Sequence, residues 1–374
     1  MRVLVTGDWH LGAVTWRRKP QDRTPEIQAC LEEILDYLRE EPVDLIAVTG
    51  DLTHYWVPLE GEKQHWLMDY LYKLSDFAPV IGVLGNHDWK GLVSFDKFAR
   101  IKNVFIVDKL EQLNLDVGGE KVCITALPYF DARKIITPTD TNTREVMNDA
   151  VQSVLDEISP RNCSGDSTYR FLLTHGVVEG MSYSKFGTNE VPIPRVLLSQ
   201  FDFTFLGHIH DAKLITDNHT QKILGCYPGG VAKLDFGEES SQQGFYIVDF
   251  SGQGTKTYFH PFISQKKLKQ VTVIGSPSPK VVSDLTTFQG YVKVTLQEGD
   301  LVAVQRLYEL PSVVSVELES VTADDTENSR VKFSSMEEAY GQYLEKQELK
   351  SELRDKLLEK FSSYLQKARE DDTL

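Results

Sequence analysis

The sequence predicts an α/β fold in which helices cover a central sheet, followed by a small α+β domain and a helical C-terminal segment. Three observations point there. Up to about residue 265, apolar runs of strand length alternate with amphipathic stretches of helical period. From residue 266 the texture changes, and the turn Gly275-Ser276-Pro277-Ser278-Pro279 interrupts a shorter alternation. Near the C-terminus, apolar residues recur every four positions among Glu, Lys and Arg. The expected divisions are 1–265, 266–325, a linker at 326–333, and 334–374.

In the first region the strand-like runs are 3–6, 45–49, 80–84, 171–174 and 203–206. Ile27, Leu31, Ile34, Leu35 and Leu38 follow Thr24-Pro25, and proline suits the first turn of a helix. Trp66, Leu67, Tyr70, Leu71 and Leu74 keep helical spacing, as do Val146, Ala150, Val151, Val154, Leu155 and Ile158. In the second region strands are expected at 270–274, 291–295 and 313–319, with helices near 281–288 and 301–310. A polar, acidic stretch around 320–330 leads into the last segment. There, Ser334 with Glu337 and Ser335 with Glu338 offer alternative capping boxes. Leu349, Leu353, Leu357, Phe361 and Leu365 form a stripe that must bury itself against its own domain or another protein.

Composition narrows the function classes. No apolar run approaches the eighteen or so residues of a membrane helix, and no signal segment opens the chain, so a cytoplasmic setting is expected. Cys30, Cys123, Cys163 and Cys226 are scattered without a C-x-x-C pair, which predicts reduced structural thiols. The formal charge of −15 opposes nucleic-acid binding unless basic patches, a partner or bound cations offset it. Arg17-Arg18-Lys19, Arg133-Lys134 and Lys266-Lys267-Lys269 are the available clusters, each expected to be solvated surface.

The chemistry lies where the strands end. The five runs lead into Asp8-Trp9-His10, Asp51-Leu52-Thr53-His54, Asn86-His87-Asp88, His175, and His208-Ile209-His210. In an α/β sheet such ends gather on one edge, where ligand sites form. Glycine precedes the polar residue in four of the five and lets the backbone turn sharply. A lone histidine at a strand end is ordinarily just hydrogen-bonded; five convergent ends are not explained that way. Imidazole and carboxylate together suit first-row divalent ions, and no thiolate favours a closed zinc site. One Asp can bridge two ions, and paired metals are a standard device for hydrolysing a phosphoester.

These blocks, in this order, resemble those of the calcineurin-like metallophosphoesterases. Asp8-Trp9-His10-Leu11-Gly12, Gly85-Asn86-His87-Asp88-Trp89, and Tyr227-Pro228-Gly229-Gly230 with Asp235-Phe236-Gly237-Glu238 narrow the resemblance to the SbcD-type nuclease subunits of double-strand-break repair. Gly230 departs from the serine common there. The resemblance implies a metallophosphoesterase β-sandwich flanked by helices, with the small domain as a cap that positions DNA. It implies one metal held by Asp8, His10, Asp51 and His210, and a second held by Asp51, Asn86, His175 and His208. His87 is then unligated and faces the scissile phosphate, with His54 behind it orienting His87 or the phosphate. Asp88 either holds the working tautomer of His87 or only packs the turn. The implied metals are two Mn2+ ions, with Mg2+, Fe2+ and Zn2+ as the other candidates. The implied partners are DNA ends, hairpins and single strands, an SbcC-type ATPase docked on the C-terminal helix, and a second copy of the chain. A cytoplasmic, nucleoid-associated setting follows.

Two other readings remain. A phosphatase or small phosphodiesterase of the same superfamily would usually carry Asp-Arg-Gly after the second block and Asn-His-Glu in the third; here Asp51-Leu52-Thr53 and Asn86-His87-Asp88 stand instead. A silent scaffold for the ATPase would not need every ligand position to be chemically competent. Trp9, Trp16, Trp56, Tyr183 and Phe186 could stack on DNA, but packing is the expected role of each. Gly229-Gly230 reads as a turn.

Overall fold

The computed structural model describes residues 1–95, 102–130, 158, 163, 167–181, 192–252, 254–319, 340, 344, 354–358 and 360–362. The chain divides into two compact units, Met1–Ser320 and Val321–Leu374.

Two six-stranded sheets form the body of the first unit, where the sequence alone suggested one central sheet. The first runs from edge to edge as Gly254–Pro261, Gly244–Ser251, Arg2–Thr6, Leu45–Val48, Val80–Val83 and Val104–Val107. Its last four strands are parallel. The second runs as Lys213–Thr216, Ile223–Tyr227, Phe203–Gly207, Tyr169–His175, Glu120–Leu127 and Glu111–Val117. Both faces of the inner strands are covered, which is why Arg2–Thr6, Leu45–Val48, Val80–Val83 and Phe203–Gly207 read as continuous apolar runs instead of alternating ones.

Residue parity sorts the layers. Val3, Val5, Leu45, Ala47, Ile81 and Val83 point between the sheets, where they meet Ile124, Phe171, Leu173, Phe203 and Phe205. Leu4, Ile46, Val48 and Val80 point outward onto the helices Thr24–Glu40 and Gly61–Ser75. Those helices bury the stripes their spacing predicts, and Tyr70 Oη donates to the Leu31 carbonyl at 2.7 Å. Each aliphatic side chain so buried contributes about 1.5–3 kcal/mol. On the other side Leu172, Leu206 and Leu224 pack under Ile193, Leu197 and Leu198. This is the β-sandwich flanked by helices.

The small α+β element is three parallel strands, Lys267–Ile274, Gly290–Gln297 and Val313–Glu319, joined by the helices Pro279–Thr287 and Leu301–Glu309. Ser278 and Asp300 cap the two helices by accepting from Val281 N and Ala303 N. It belongs to the first unit. Trp16 packs on Phe236 and Tyr291, and Arg23 lies over both Trp16 and Tyr291. The Lys19 ammonium donates to the carbonyls of Tyr308, Leu310 and Val313 at 3.2, 2.7 and 3.0 Å. Arg18 stacks its guanidinium on Tyr308. Within the cluster expected to be solvated surface, Arg18 and Lys19 therefore join two elements. Lys266 Nζ likewise donates to Tyr291 Oη. Arg133, Lys134, Tyr183 and Phe186 lie outside the described residues.

One expectation is corrected. Cys123 and Cys163 form a disulfide across 40 residues, whereas Cys30 and Cys226 are buried free thiols. The pairing joins a strand of the second sheet to a segment distant in sequence, a neighbourhood that spacing cannot show. In the second unit the rings of Tyr340 and Phe361 stack at 4.1 Å.

Candidate metal centre

The C-terminal ends of five parallel strands, three from the first sheet and two from the second, meet at one edge of the sandwich. Their turns are tight. Asp8, His10, Asp51 and His208 all have positive φ, at 49, 50, 52 and 95°, a conformation costing a non-glycine residue about 1–2 kcal/mol. Such strain persists at sites where the surrounding structure fixes it. Main-chain bonds from Asp8 N to Gly50 O and from His10 N to Asp51 O, both 2.8 Å, lock the first two turns together.

The glycines before the polar residues mainly provide room. Gly50 does adopt φ +101°, and a Cβ there would also come within 2.6 Å of His175 Nδ1. At Gly85 the φ is ordinary, but a Cβ would overlap the Asp51 carboxylate. Close approach of the turns, more than their sharpness, selects glycine.

Two groups of donors face each other across Asp51. His10 Nε2 and His210 Nε2 are 2.9 Å apart, and Asp8 Oδ1 is 3.8 Å from His210 Nε2. Asn86 Oδ1 lies 3.0 Å from His175 Nε2 and 2.9 Å from His208 Nδ1. Asp51 Oδ2 sits 3.5 Å from His10 Nε2 and 3.6 Å from His175 Nε2, so one oxygen faces both groups. Ligands bound at about 2.1 Å on one ion lie about 3 Å apart at right angles and about 3.4 Å apart at tetrahedral angles, close to the 2.9, 3.0, 3.5 and 3.6 Å separations here. Asp8, His10 and His210 form one candidate ion-holding group, and Asp8, Asp51 and His175 another.

Protonation supports a cation there. His175 Nδ1 donates to the Thr49 carbonyl at 2.8 Å, and burial holds this imidazole at a pKa of about 4. Neutral His175 therefore turns the lone pair of Nε2 toward Asn86 Oδ1, another acceptor. Two acceptors 3.0 Å apart are satisfied by a positive ion between them. His10 is also held neutral, first by burial and then by the surrounding histidines. Asp8 is raised to about 7 by burial, with Asp51 adding repulsion, and accepts from the His208 amide. The residues fit a pair of divalent ions.

His54 and His87 flank this centre as parallel stacked rings 5.1 Å apart. The His87 amide donates to Asp51 Oδ1 at 2.8 Å, and its ring Nδ1 donates to the His54 carbonyl at 2.9 Å. His54 Nδ1 is 3.1 Å from His10 Nδ1, and burial lowers its pKa to about 4. His10, His54 and His87 are close enough to hold an ion themselves. We favour the carboxylate-bearing groups because they carry compensating negative charge.

Asp88 is buried, and its carboxylate accepts from Thr53 N, Thr53 Oγ1 and Gly85 N at 2.8, 3.3 and 2.8 Å. Of the two roles left open for it, the geometry supports the turn. The atom on His87 Nδ1 is the His54 carbonyl.

Glu238 is a functional residue that sequence reasoning placed in a motif without giving it a task. Its Oε1 accepts from His210 Nδ1 at 2.9 Å, and its Oε2 accepts from Leu234 N at 2.9 Å. Burial alone would depress His210, but Glu238 outweighs it and raises this imidazole to about 9. The signal was the acidic residue that closes the block Asp235-Phe236-Gly237-Glu238. Of the aromatics, Trp9 is buried with Nε1 donating to Thr6 Oγ1, and Trp16 packs on the small α+β element.

The model of the family described as "Calcineurin-like phosphoesterase" matches residues 1–212. The chain belongs to the calcineurin-like phosphoesterases. It is 25% identical over 283 residues to the SbcD subunit of the SbcCD nuclease of Staphylococcus saprophyticus, covering 73% of this chain and 71% of that protein. Among solved structures it resembles a dimetal phosphatase from Danio rerio at 11% identity and a TM-score of 0.42, covering 69% of this chain and 98% of that one. A calcineurin-like phosphoesterase from Bacillus subtilis is similar at 14% identity and a TM-score of 0.36, covering 69% and 88%. Membership of this family makes the chain a metal-dependent phosphoesterase. Among the described residues no helix is long and apolar enough to cross a membrane.

Proposed function

We propose that this chain is a metal-dependent DNA nuclease, acting as an exonuclease on duplex ends and an endonuclease on single strands and hairpins, and working with an SbcC-type ATPase. The observation that carries the reading is Asp51 Oδ2, which faces both donor groups at 3.5 and 3.6 Å, in a chain similar to the SbcD subunit of the SbcCD nuclease. Asp8, His10, Asp51 and His210 would hold one ion; Asp51, Asn86, His175 and His208 would hold the other. Two such ions, Mn2+ before Mg2+, Fe2+ or Zn2+, supply charge neutralisation and an activated water to phosphodiester hydrolysis.

The remaining steps belong to side chains. His87 keeps Nδ1 on the His54 carbonyl, which leaves Nε2 to carry a proton to the departing oxygen. His54 fixes that ring from behind through stacking and its main-chain oxygen. The small α+β element caps the site and positions DNA, and the C-terminal helical segment docks on the ATPase. A homodimer in a cytoplasmic, nucleoid-associated setting belongs to the same reading.

The test is cleavage of hairpin DNA, single-stranded DNA and a small phosphodiester with Mn2+, with and without the ATPase, alongside metal content by mass spectrometry. Asp51→Ala loses both ions and activity together. His87→Ala keeps both ions and loses about 10²- to 10⁴-fold in kcat. Hydrolysis of the small diester without cleavage of any DNA would replace the nuclease reading with a small-substrate one.

A further inference from the structure

Of the five tryptophans only Trp56 is exposed, at 72%, and it stands beside the metal centre. An exposed indole forgoes the stabilisation that burial would give, and this one is held in place. Its Nε1 donates to the main-chain carbonyl of Asn86, the residue whose Oδ1 faces His175 and His208. Two residues before it, His54 stacks on His87; Tyr55, itself 45% exposed, meets His54 edge-on at 4.6 Å. The ring is thus tethered by its polar edge, while its apolar face stays open on the rim next to the candidate catalytic residue.

We infer that Trp56 is a stacking platform for an unpaired nucleobase next to the scissile phosphate. The inference rests on the nuclease reading and names its substrate class: a strand whose bases are out of the duplex at the point of cleavage. A phosphodiester seated between Asp51, Asn86 and His87 carries its nucleosides to the rim around it, and a free aromatic face there meets a base. Stacking is indifferent to base identity, because every base has a π-face, and it is unavailable to a base still paired and stacked in a duplex. Trp56 therefore acts as a positioning residue, favouring frayed ends, hairpin loops and single strands without reading sequence.

The experiment compares a single-stranded thymidylate oligomer with the same oligomer carrying a run of abasic sites, using the full chain and Mn2+. Wild type should show a KM about tenfold higher on the abasic run. Trp56→Ala should erase that difference, and Trp56→Phe should retain most of it. Without metal, the oligomer should quench a tryptophan signal that disappears in Trp56→Phe, and the abasic run should quench it far less. Equal KM values for the two oligomers in wild type, or a difference that survives Trp56→Ala, overturns the inference while leaving the nuclease reading intact. If no DNA is cleaved but a small diester is, the nuclease reading fails. The quenching titration then decides the base platform separately, and no selective quench overturns it.

Discussion

His210 is gripped from behind by Glu238, and in the proposed metal centre that contact decides which of its nitrogens would meet an ion. With Nδ1 on the carboxylate, Nε2 is the atom left beside His10 and Asp8. The same contact raises the imidazole to about 9 in the metal-free chain, so at pH 7 His210 carries a proton that an incoming ion must displace. Metal affinity should therefore climb as pH rises from 7 toward 9. Asp8, at about 7, contributes its own dependence mainly below that window. In Glu238→Gln the histidine loses its anion and the climb flattens; orientation is also lost, lowering affinity about 10- to 100-fold at the upper end. Calorimetric titration with Mn2+ across this range measures both, and an unchanged pH slope would remove Glu238 from the role.

The loops after the strands are tied to one another as firmly as to their own strands. Asp88 joins the third loop to the second through Thr53 and to its own start through Gly85. Asp88→Asn would turn an amide NH2 toward a backbone N–H that now has an acceptor, at a cost of about 1–3 kcal/mol. The melting temperature should fall by several degrees, with part of the loss recovered in excess Mn2+. A residue that only held the His87 tautomer would instead lower kcat at constant melting temperature. This division of labour was half legible in sequence. The strand ends stood out because Asp, Asn and His appear abruptly where each apolar run stops. What Asp88 touches was not legible, since its partners Thr53 and Gly85 belong to two different turns. The edge strand Gly254–Pro261 escaped notice for a related reason: its residues are mostly polar and none is buried, so no apolar run marks it.

At the scale of the whole chain, the sequence was legible wherever a core is local. All five elements of the small α+β region lie within a few residues of their expected places, because βαβ units bury their apolar faces against immediate neighbours. Pairings between distant segments were not legible in the residues themselves: the two-sheet sandwich came only through the family resemblance, and the Cys123–Cys163 disulfide and the seat of the small element did not come at all. That seat can be tested. Lys19 sits at the C-terminal end of the helix Leu301–Glu309, where orphan carbonyls and the helix dipole both favour a cation. Burial lowers its pKa, yet several carbonyl bonds compensate. Phe236, against which Trp16 and thus Tyr291 pack, is two residues from Glu238, so the seat adjoins the residue that orients His210. Replacing Lys19 with Met keeps the aliphatic stem and removes the cation. Hydrogen exchange should then quicken through 301–316 while the strands Arg2–Thr6 and Leu45–Val48 stay protected. If Lys19 were merely solvated surface, exchange in 301–316 would not change. If the seat also steadies Glu238, Mn2+ affinity in Lys19→Met should fall in the same direction as in Glu238→Gln and by less, because Trp16 and Arg23 still hold Tyr291.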